Sequence, residues 1–465
     1  MKDRRHDISL RVVKLVNIAL MTFCFTMVWY LYYSKTTVVP YYFKGSLVIV
    51  SLFVILYIVM GKVYDAFLIS YYPVSQVIYN QGLAVFMADG VMFVVLWLLT
   101  KNFPNVVPGL YALAAQIVIS CVWANIAQRW YFRSFKAKKT LIIYDERTDL
   151  GDIIKENGYE NKFEVIANIT AEECIKNRFK CLEGIEAVFF SGVHSHERNT
   201  ILKQCIDRGI RVLVIPRVGD VLMSSAKPMH LFYLPILQVD RYNPPMEFLI
   251  VKRFFDIVIS IVALVIFSPV ILVVSCAIKA YDKGPVFYRQ KRLTQNGKEF
   301  EIVKFRSMRV DAESDGVARL STGTNDDRIT PVGRVIRAVR LDEVPQFINV
   351  LKGDMSIVGP RPERPEIARQ YEAEMPEFRL RLQAKAGITG YAQVYGKYNS
   401  TPYDKLQMDL MYIANPTLAQ DLGIILATFK ILFVPESTDG IKEGQVTAMG
   451  NAEHGSDKED KIDNH

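Results

Sequence analysis

The sequence predicts a membrane protein in three folded parts. These are a four-helix transmembrane bundle over 1–135, a Rossmann-like α/β cytosolic domain without a nucleotide fingerprint over 136–245, and an α/β monotopic domain over 246–436 whose re-entrant membrane helix covers 250–280. An acidic, disordered tail is expected over 437–465. Three observations carry this reading. The 465 residues are 51% hydrophobic with a mean hydropathy of +0.15, too apolar for an ordinary soluble or disordered protein. The apolar residues crowd into the first 130 positions and a block near 254–281, which argues against one polytopic transporter. The net charge of +8 averages a basic stretch against an acidic end: 252–310 holds eleven Lys or Arg and four Asp or Glu, while 437–465 holds three Lys and seven Asp or Glu without apolar periodicity.

Four apolar stretches open the chain, about 12–33, 45–60, 82–100 and 107–128, each near the roughly 17 to 25 residues that cross hydrocarbon. The second reads as the weakest. Lys2, Arg4, Arg5, Arg11 and Lys14 precede or open the first, which lacks a small-residue cleavage site and is expected to stay as an anchor. Arg129, Arg133, Lys136, Lys138 and Lys139 follow the fourth, and only Lys35, Lys44 and Lys101 lie in the outer loops, so both ends are expected in the cytoplasm. The six cysteines form no Cys-x-x-Cys pair and read as reduced structural thiols; His194 and His196 have no ligand partners near them in sequence, and no transition metal is expected.

Beyond 139 the pattern changes to β-branched runs, Thr140–Tyr144, Phe163–Ala167, Ala187–Phe190 and Arg211–Ile215, separated by amphipathic stretches. That is the pattern of a small parallel α/β domain. Its first strand-to-helix turn is Tyr144-Asp-Glu-Arg-Thr-Asp-Leu-Gly151, with carboxylates where a dinucleotide site needs glycines, so a structural or regulatory role is expected rather than cofactor binding.

The block Phe254–Ile278 is long enough to span, yet Lys252 and Arg253 precede it and Lys279, Lys283, Arg289, Lys291 and Arg292 follow. A straight span would carry one basic flank outward. Ser268-Pro269 lies mid-block, where proline removes a donor and serine can satisfy freed groups. A helix-break-helix entering and leaving on the cytoplasmic face fits length, charge and proline together; the alternative is a kinked transmembrane helix.

Two short runs expected as strands follow, Gly284–Arg292 and Phe300–Met308, with cations at their ends. Arg289, Lys291 and Arg292 suit either phosphate or anionic lipid head groups. Lys304 and Arg306 share a strand face by the period of two and pair better for a substrate anion. Thr330 caps a helix with Pro331 at its first position, and Asp342 is expected to cap a second whose buried face is Val344, Phe347, Ile348 and Leu351. Asp342 and Glu343 then sit at a helix N-terminus, which favours ionised carboxylates, after Arg334, Arg337 and Arg340. Two readings of that pair stand on local pattern: helix capping, or a carboxylate that coordinates Mg²⁺ or attacks phosphorus. Gly353–Pro365 holds Arg361 in a proline-stiffened frame suited to a diphosphate or to a surface turn, and Lys385-Ala-Gly-Ile-Thr-Gly390 reads as a glycine-bounded turn. Helices are expected over Tyr403–Ala414 and Leu418–Leu432, the last lying on the membrane surface or packed in the core.

Taken in order, Lys252-Arg253-x-x-Asp256, Ser268-Pro269, Lys304-Phe-Arg-Ser-Met308, Leu341-Asp-Glu-Val-Pro-Gln346, Gly353-Asp-Met-Ser356, Val358-Gly-Pro-Arg-Pro362 and Gly387-Ile-Thr-Gly390 closely resemble the bacterial polyprenyl-phosphate sugar-1-phosphate transferases. The resemblance covers about 250–436, and seven ordered motifs make it specific. Over 1–250 it is one of layout, similar to the large form that starts capsule, exopolysaccharide or O-antigen synthesis in the bacterial cytoplasmic membrane.

The resemblance implies that a UDP-sugar donates sugar-1-phosphate to undecaprenyl phosphate, giving undecaprenyl-diphospho-sugar and UMP, with Mg²⁺. It implies Asp342 as nucleophile, Glu343 aiding the metal or acceptor, and Arg361 and Arg337 gripping phosphates. Lys304, Arg306 and Asp311 match positions around the family's active site, and Lys252, Arg253 and Asp256 those at the membrane boundary. The large form suggests glucose or galactose as the sugar. An inactive membrane scaffold is disfavoured by the intact residues, a transporter by spans almost bare of charge, and no nucleic-acid partner is expected. Leu231-Phe-Tyr-Leu-Pro235 offers an apolar surface that could pair two copies as a homodimer.

Overall fold

The computed structural model describes residues 2–38, 43–145, 147–242, 244–309, 328–396 and 401–432. Two compact units divide the chain, Met1–Ile215 and Pro216–His465. Both the expected acidic tail and Asp311 lie outside the described residues.

The first unit opens with α1 (Lys2–Leu31), α2 (Phe43–Val63), α3 (Val74–Leu99) and α4 (Val107–Ser134), each long and apolar enough to cross a membrane. The stretch expected to be weakest is the most apolar of these four, with a hydropathy of 2.4, because Leu47–Met60 is almost entirely Val, Ile, Leu and Phe and carries no charge. Inward stripes recur every turn, as with Met21, Phe25 and Trp29 on α1, and the Phe25 and Phe53 rings stack at 4.3 Å. Polar groups are buried among them: Tyr57 donates to Asn17 Oδ1 at 2.6 Å, and Asn17 donates to Gln81 Oε1 at 3.4 Å. The spans are less bare than expected. Asp89 lies within α3, where the Gln116 amide, oriented with its nitrogen inward, donates to Oδ2 at 2.7 Å.

Next come β1 (Lys138–Tyr144), α5 (Leu150–Glu156), β2 (Phe163–Thr170), α6 (Ala171–Lys176), β3 (Ala187–Ser191), α7 (Ser195–Asp207) and β4 (Arg211–Val214). The strands form one parallel sheet in the order β2-β1-β3-β4. Alternation along β1 feeds two cores: Leu141 and Ile143 pack with Val188, Phe190 and Ile201, while Ile142 packs with Leu150, Ile154 and Phe163. Strand order reverses between β1 and β3, where parallel sheets hold ligands at their carboxyl edge. There the Asp145 carboxylate accepts the His194 amide at the start of α7, at 3.0 Å, so an internal anion occupies that position. Cys174 and Cys181, unpaired by spacing, stand 3.0 Å apart at sulfur.

The second unit begins with α8 (Val218–Ser224), then β5 (Lys227–Leu231) and β6 (Leu234–Gln238), an antiparallel hairpin whose two turn residues, Phe232 and Tyr233, have φ of 54° and 62°. Glycine or asparagine usually fills such a turn; here two exposed aromatics do. α9 (Met246–Asp282) follows as one uninterrupted 37-residue helix, not the helix-break-helix expected at Ser268-Pro269. The reason is local. Pro269 cannot donate to the Val265 carbonyl four residues back, and the Ser268 hydroxyl donates to it instead at 2.8 Å. The middle of α9 is uncovered at Val265, Ile266, Leu272 and Val273, while both ends pack on the same unit: Asp256 near its start, and Val274 and Ile278 against Phe305 and Ile336.

The remaining elements are β7 (Phe287–Leu293), β8 (Glu299–Phe305), α10 (Pro331–Ala338), α11 (Gln346–Lys352), β9 (Ser356–Val358), α12 (Pro365–Glu374), β10 (Gly387–Thr389), α13 (Tyr391–Tyr395), α14 (Pro402–Ala414) and α15 (Leu418–Leu432). β7 and β8 pair antiparallel; β9 and β10 pair parallel, so the expected glycine-bounded turn at 387–390 contains a strand. α15 sends Ile424 into the core with Val350, Ile357, Leu406 and Leu410, leaving Leu418, Leu422 and Phe429 exposed.

Candidate active site

The site forms where β8, the turn before α11 and the segment after β9 converge. Thr330 caps α10 as expected, its Oγ1 accepting the Gly333 amide at 2.9 Å. At Gly333 any Cβ would lie 1.9 Å from the Ser307 carbonyl, so glycine alone lets α10 approach the end of β8 this closely. Arg340, left-handed at φ 53°, then turns the chain into a single 3₁₀ turn, Leu341–Glu343.

Asp342 does not cap the following helix. α11 begins at Gln346 because Pro345 has no amide to complete the preceding α-turn, and Val344 donates to Leu341 O at 3.2 Å instead. Its buried face also differs from the expected apolar stripe: Val344, Gln346, Asn349 and Val350 point inward, while Phe347, Ile348 and Leu351 are half-buried. Asn349 satisfies both amide groups on β8, accepting from Val303 N at 3.0 Å and donating to Glu301 O at 2.7 Å. This fixes the turn carrying the acidic pair against the strand carrying Lys304.

Around that pair, Lys304 Nζ lies 2.7 Å from Glu343 Oε1, and Arg361 Nη2 reaches the same oxygen at 3.5 Å. Arg337 Nε donates to Ser307 Oγ at 2.9 Å, and its charge, with those of Lys304 and Arg361, acts on Asp342. Burial raises the Glu343 carboxyl, but Lys304, Arg361 and Arg340 outweigh it and hold that carboxyl well below the usual range. Asp342 goes the other way. Burial first, then repulsion from Glu343, push its carboxyl up against the pull of the three cations. Adjacent carboxylates are thus driven apart, one fixed as an anion and one made more basic.

Five of the sequence-derived residues therefore meet here: Asp342, Glu343, Lys304, Arg337 and Arg361. Four others turn into the fold. Arg306 does not share the site with Lys304: it lies beyond the end of β8, clamping Asp282 at the end of α9 and donating to Pro285 O at 2.7 Å. Lys252 ion-pairs Asp421 at 2.6 Å and donates to Val358 O at 3.0 Å. Arg253 donates to the Val350 and Leu351 carbonyls at the end of α11, at 2.7 and 2.9 Å. Asp256 accepts Ile357 N at 2.9 Å and Ser356 Oγ at 3.1 Å. These three splice α9 to β9 and α11. Sequence reasoning missed Asn349's work on β8 and the Arg381–Asp409 ion pair at 2.6 Å, whose partners lie 28 residues apart with no local signal.

Residues 247–435 match the family model described as bacterial sugar transferase. The chain is 36% identical over 239 residues to a UDP-N-acetylgalactosamine-undecaprenyl-phosphate N-acetylgalactosaminephosphotransferase of Aeromonas hydrophila, covering 51% of this chain and 55% of that one. It is 39% identical over 191 residues to a UDP-glucose:undecaprenyl-phosphate glucose-1-phosphate transferase of Caulobacter vibrioides, covering 40% and 71%. An exopolysaccharide production protein of Rhizobium leguminosarum matches at 39% over 189 residues, 39% of this chain and 94% of that one. The match spans about half the length of the larger relatives. All five residues of the cluster fall inside the matched region, and with nearly the whole Rhizobium protein covered, this chain belongs to the bacterial sugar transferase family.

Proposed function

We propose that this protein transfers a hexose-1-phosphate from a UDP-sugar to undecaprenyl phosphate, giving undecaprenyl-diphospho-sugar and UMP, as the first membrane step of exopolysaccharide, capsule or O-antigen synthesis. The observation that carries this is the single cluster of Asp342 and Glu343 with Lys304, Arg337 and Arg361, in the same unit as the apolar helix α9. The names of the Aeromonas and Caulobacter relatives supply the substrate classes. Glucose or galactose is the proposed sugar.

In this reading the Asp342 carboxylate attacks the sugar-bearing phosphorus. A carboxylate–phosphorus bond forms, the bridging P–O bond breaks, and UMP leaves with the electron pair. A phosphate oxygen of undecaprenyl phosphate then attacks the same phosphorus and releases the carboxylate. A raised carboxyl makes Asp342 the better nucleophile, while Arg361 and Arg337 neutralise the phosphates. Lys304 and Arg361 fix Glu343, and Glu343 in turn keeps both cations beside the reacting centre.

Mg²⁺ fits the donor set: it binds through one or two carboxylates plus substrate phosphates and water, and needs no larger cage. Among the described residues no group of three His, Cys, Asp or Glu gathers. Asp342 and the Glu343 oxygen not held by Lys304 would bind it, and when bound it neutralises diphosphate charge.

The architecture proposed to serve this reaction is a four-span bundle over 1–135, a Rossmann-like domain over 136–245 and the transferase module over 246–436. Both termini and the transferase module would face the cytoplasm from the inner membrane. Docking of both ends of α9 on one unit supports re-entry on a single face by a bend at Ser268-Pro269 that leaves the helix unbroken, since a straight crossing would separate those contacts. A homodimer through the Phe232-Tyr233 hairpin tip is supported by its exposed aromatics.

The test is extraction of labelled lipid from purified protein, undecaprenyl phosphate and Mg²⁺ with each of a panel of sugar-labelled UDP-sugars. One donor is expected to give a lipid-linked diphosphate; label that never enters the lipid phase with any donor would overturn the proposal.

A further inference from the structure

This inference deepens the proposed transferase reading and rests on it for its kinetic arm. Arg361 reaches Glu343 from an arch, Val358-Gly-Pro-Arg-Pro362. Prolines 360 and 362 have no amide to donate, so the arch is held mainly through its carbonyls. Pro360 O accepts Gly387 N at 2.9 Å. Three others meet cations: Val358 O accepts Lys252 at 3.0 Å, Arg361 O accepts Arg381 Nη2 at 3.0 Å, and Pro362 O accepts Arg292 Nη1 at 3.1 Å. Gly359 completes the fit, since a Cβ there would lie 2.2 Å from Lys385 O.

Arg292 is the least expected member. Sequence grouped it with Arg289 and Lys291, but the strand's period of two separates them. Arg289 and Lys291 face Glu301 and Glu299 across the hairpin at 3.7 and 3.2 Å, largely exposed. Arg292 shares the other face with Gln290, whose Oε1 it meets at 2.9 Å. Its Nε is buried without a hydrogen-bond partner, and burial, with Arg361 and Arg364 nearby, pulls its pKa down to about 10 despite Glu363. A guanidinium kept in so unfavourable a place is not a lipid-facing surface charge. Arg381 stands behind it, held by Asp409 at 2.6 Å and Glu363 at 3.5 Å.

We propose that Arg292, backed by Arg381, is a positioning residue: by holding the carbonyls of Pro362 and Arg361 they fix the arch so that the Arg361 guanidinium faces the Asp342–Glu343 pair and the phosphates bound there.

A double-mutant cycle tests this with the full-length protein: Arg292→Met, Arg292→Lys, Arg361→Ala, and Arg292→Met with Arg361→Ala. Arg292→Met is expected to lower kcat/KM for the UDP-sugar roughly 10- to 100-fold, the scale of a small misplacement of a binding group, and Arg292→Lys to recover part of it. Because Arg292 acts through Arg361, the double variant should be no worse than Arg361→Ala alone. An additive further loss would overturn the proposal. Hydrogen exchange over 356–364 gives an independent reading: exchange should quicken there in Arg292→Met while the rest of the second unit keeps its protection, and unchanged exchange would overturn the proposal. If Arg292→Met fails to fold, Arg292→Lys carries both readouts. If the wild type turns over no UDP-sugar, the transferase reading fails by itself and hydrogen exchange decides the arch.

Discussion

Asp342 and Glu343 are sequence neighbours with opposite electrostatic fates, and the difference can be measured. Glu343 is held ionised by Lys304 and Arg361, while burial and Glu343 raise Asp342. If Asp342 must be ionised to attack, kcat/KM falls as pH drops through its raised pKa, so the acid limb should lie above the ordinary aspartate value of about 3.9. Lys304→Met removes Glu343's closest cation and should lower kcat/KM by roughly 10²-fold or more; a pH–rate series on wild type and variant checks both, and an acid limb below about pH 4 would contradict the raised Asp342. At the same scale, Asp409→Asn leaves Arg381 buried beside a weakened partner and should destabilise the protein by about 3–5 kcal/mol, read as a lowered denaturation midpoint.

The helices, strands and turns show what was legible in the sequence and what was not. The four β-branched runs of the first unit and the Thr330-Pro331 start of α10 read directly, because alternation and capping are local rules. The acidic pair, Lys304 and Arg361 were legible through ordered motifs, and Arg337 through the run of arginines before the pair. Inward-turned Lys252, Arg253, Asp256 and Arg306 were not, because a charged residue looks the same in sequence whether it meets phosphate or a protein group brought near by the fold. Nor did sequence show that Asn349 and Gln346 form the buried side of α11: both are polar, and Asn349's partners lie on β8, far off in sequence. The continuity of α9 gives its own prediction. Ser268→Ala leaves the Val265 carbonyl without its replacement donor and should cost about 1–3 kcal/mol, read as faster proteolysis near 265–269 in nanodiscs; Ser268→Thr should restore it.

For the molecule as a whole, single cysteines placed at exposed positions beside each end of α9, in a cysteine-free background, should be labelled from the same face of sealed vesicles if the helix re-enters. Labelling from opposite faces would restore a crossing helix. Mass determination in nanodiscs should give a dimer that Phe232→Ser with Tyr233→Ser converts to a monomer; a monomer for the wild type at all concentrations would remove the homodimer. The central claim is that Asp342, among Lys304, Arg337 and Arg361, carries phosphoryl transfer from a UDP-sugar to a polyprenyl phosphate. UMP release by purified wild type and Asp342→Asn, each with undecaprenyl phosphate, Mg²⁺ and a panel of UDP-sugars, tests it most directly. Release with one sugar, lost in a folded Asp342→Asn protein, is the predicted result; undiminished release by that variant, or none by the wild type with any sugar, would contradict it.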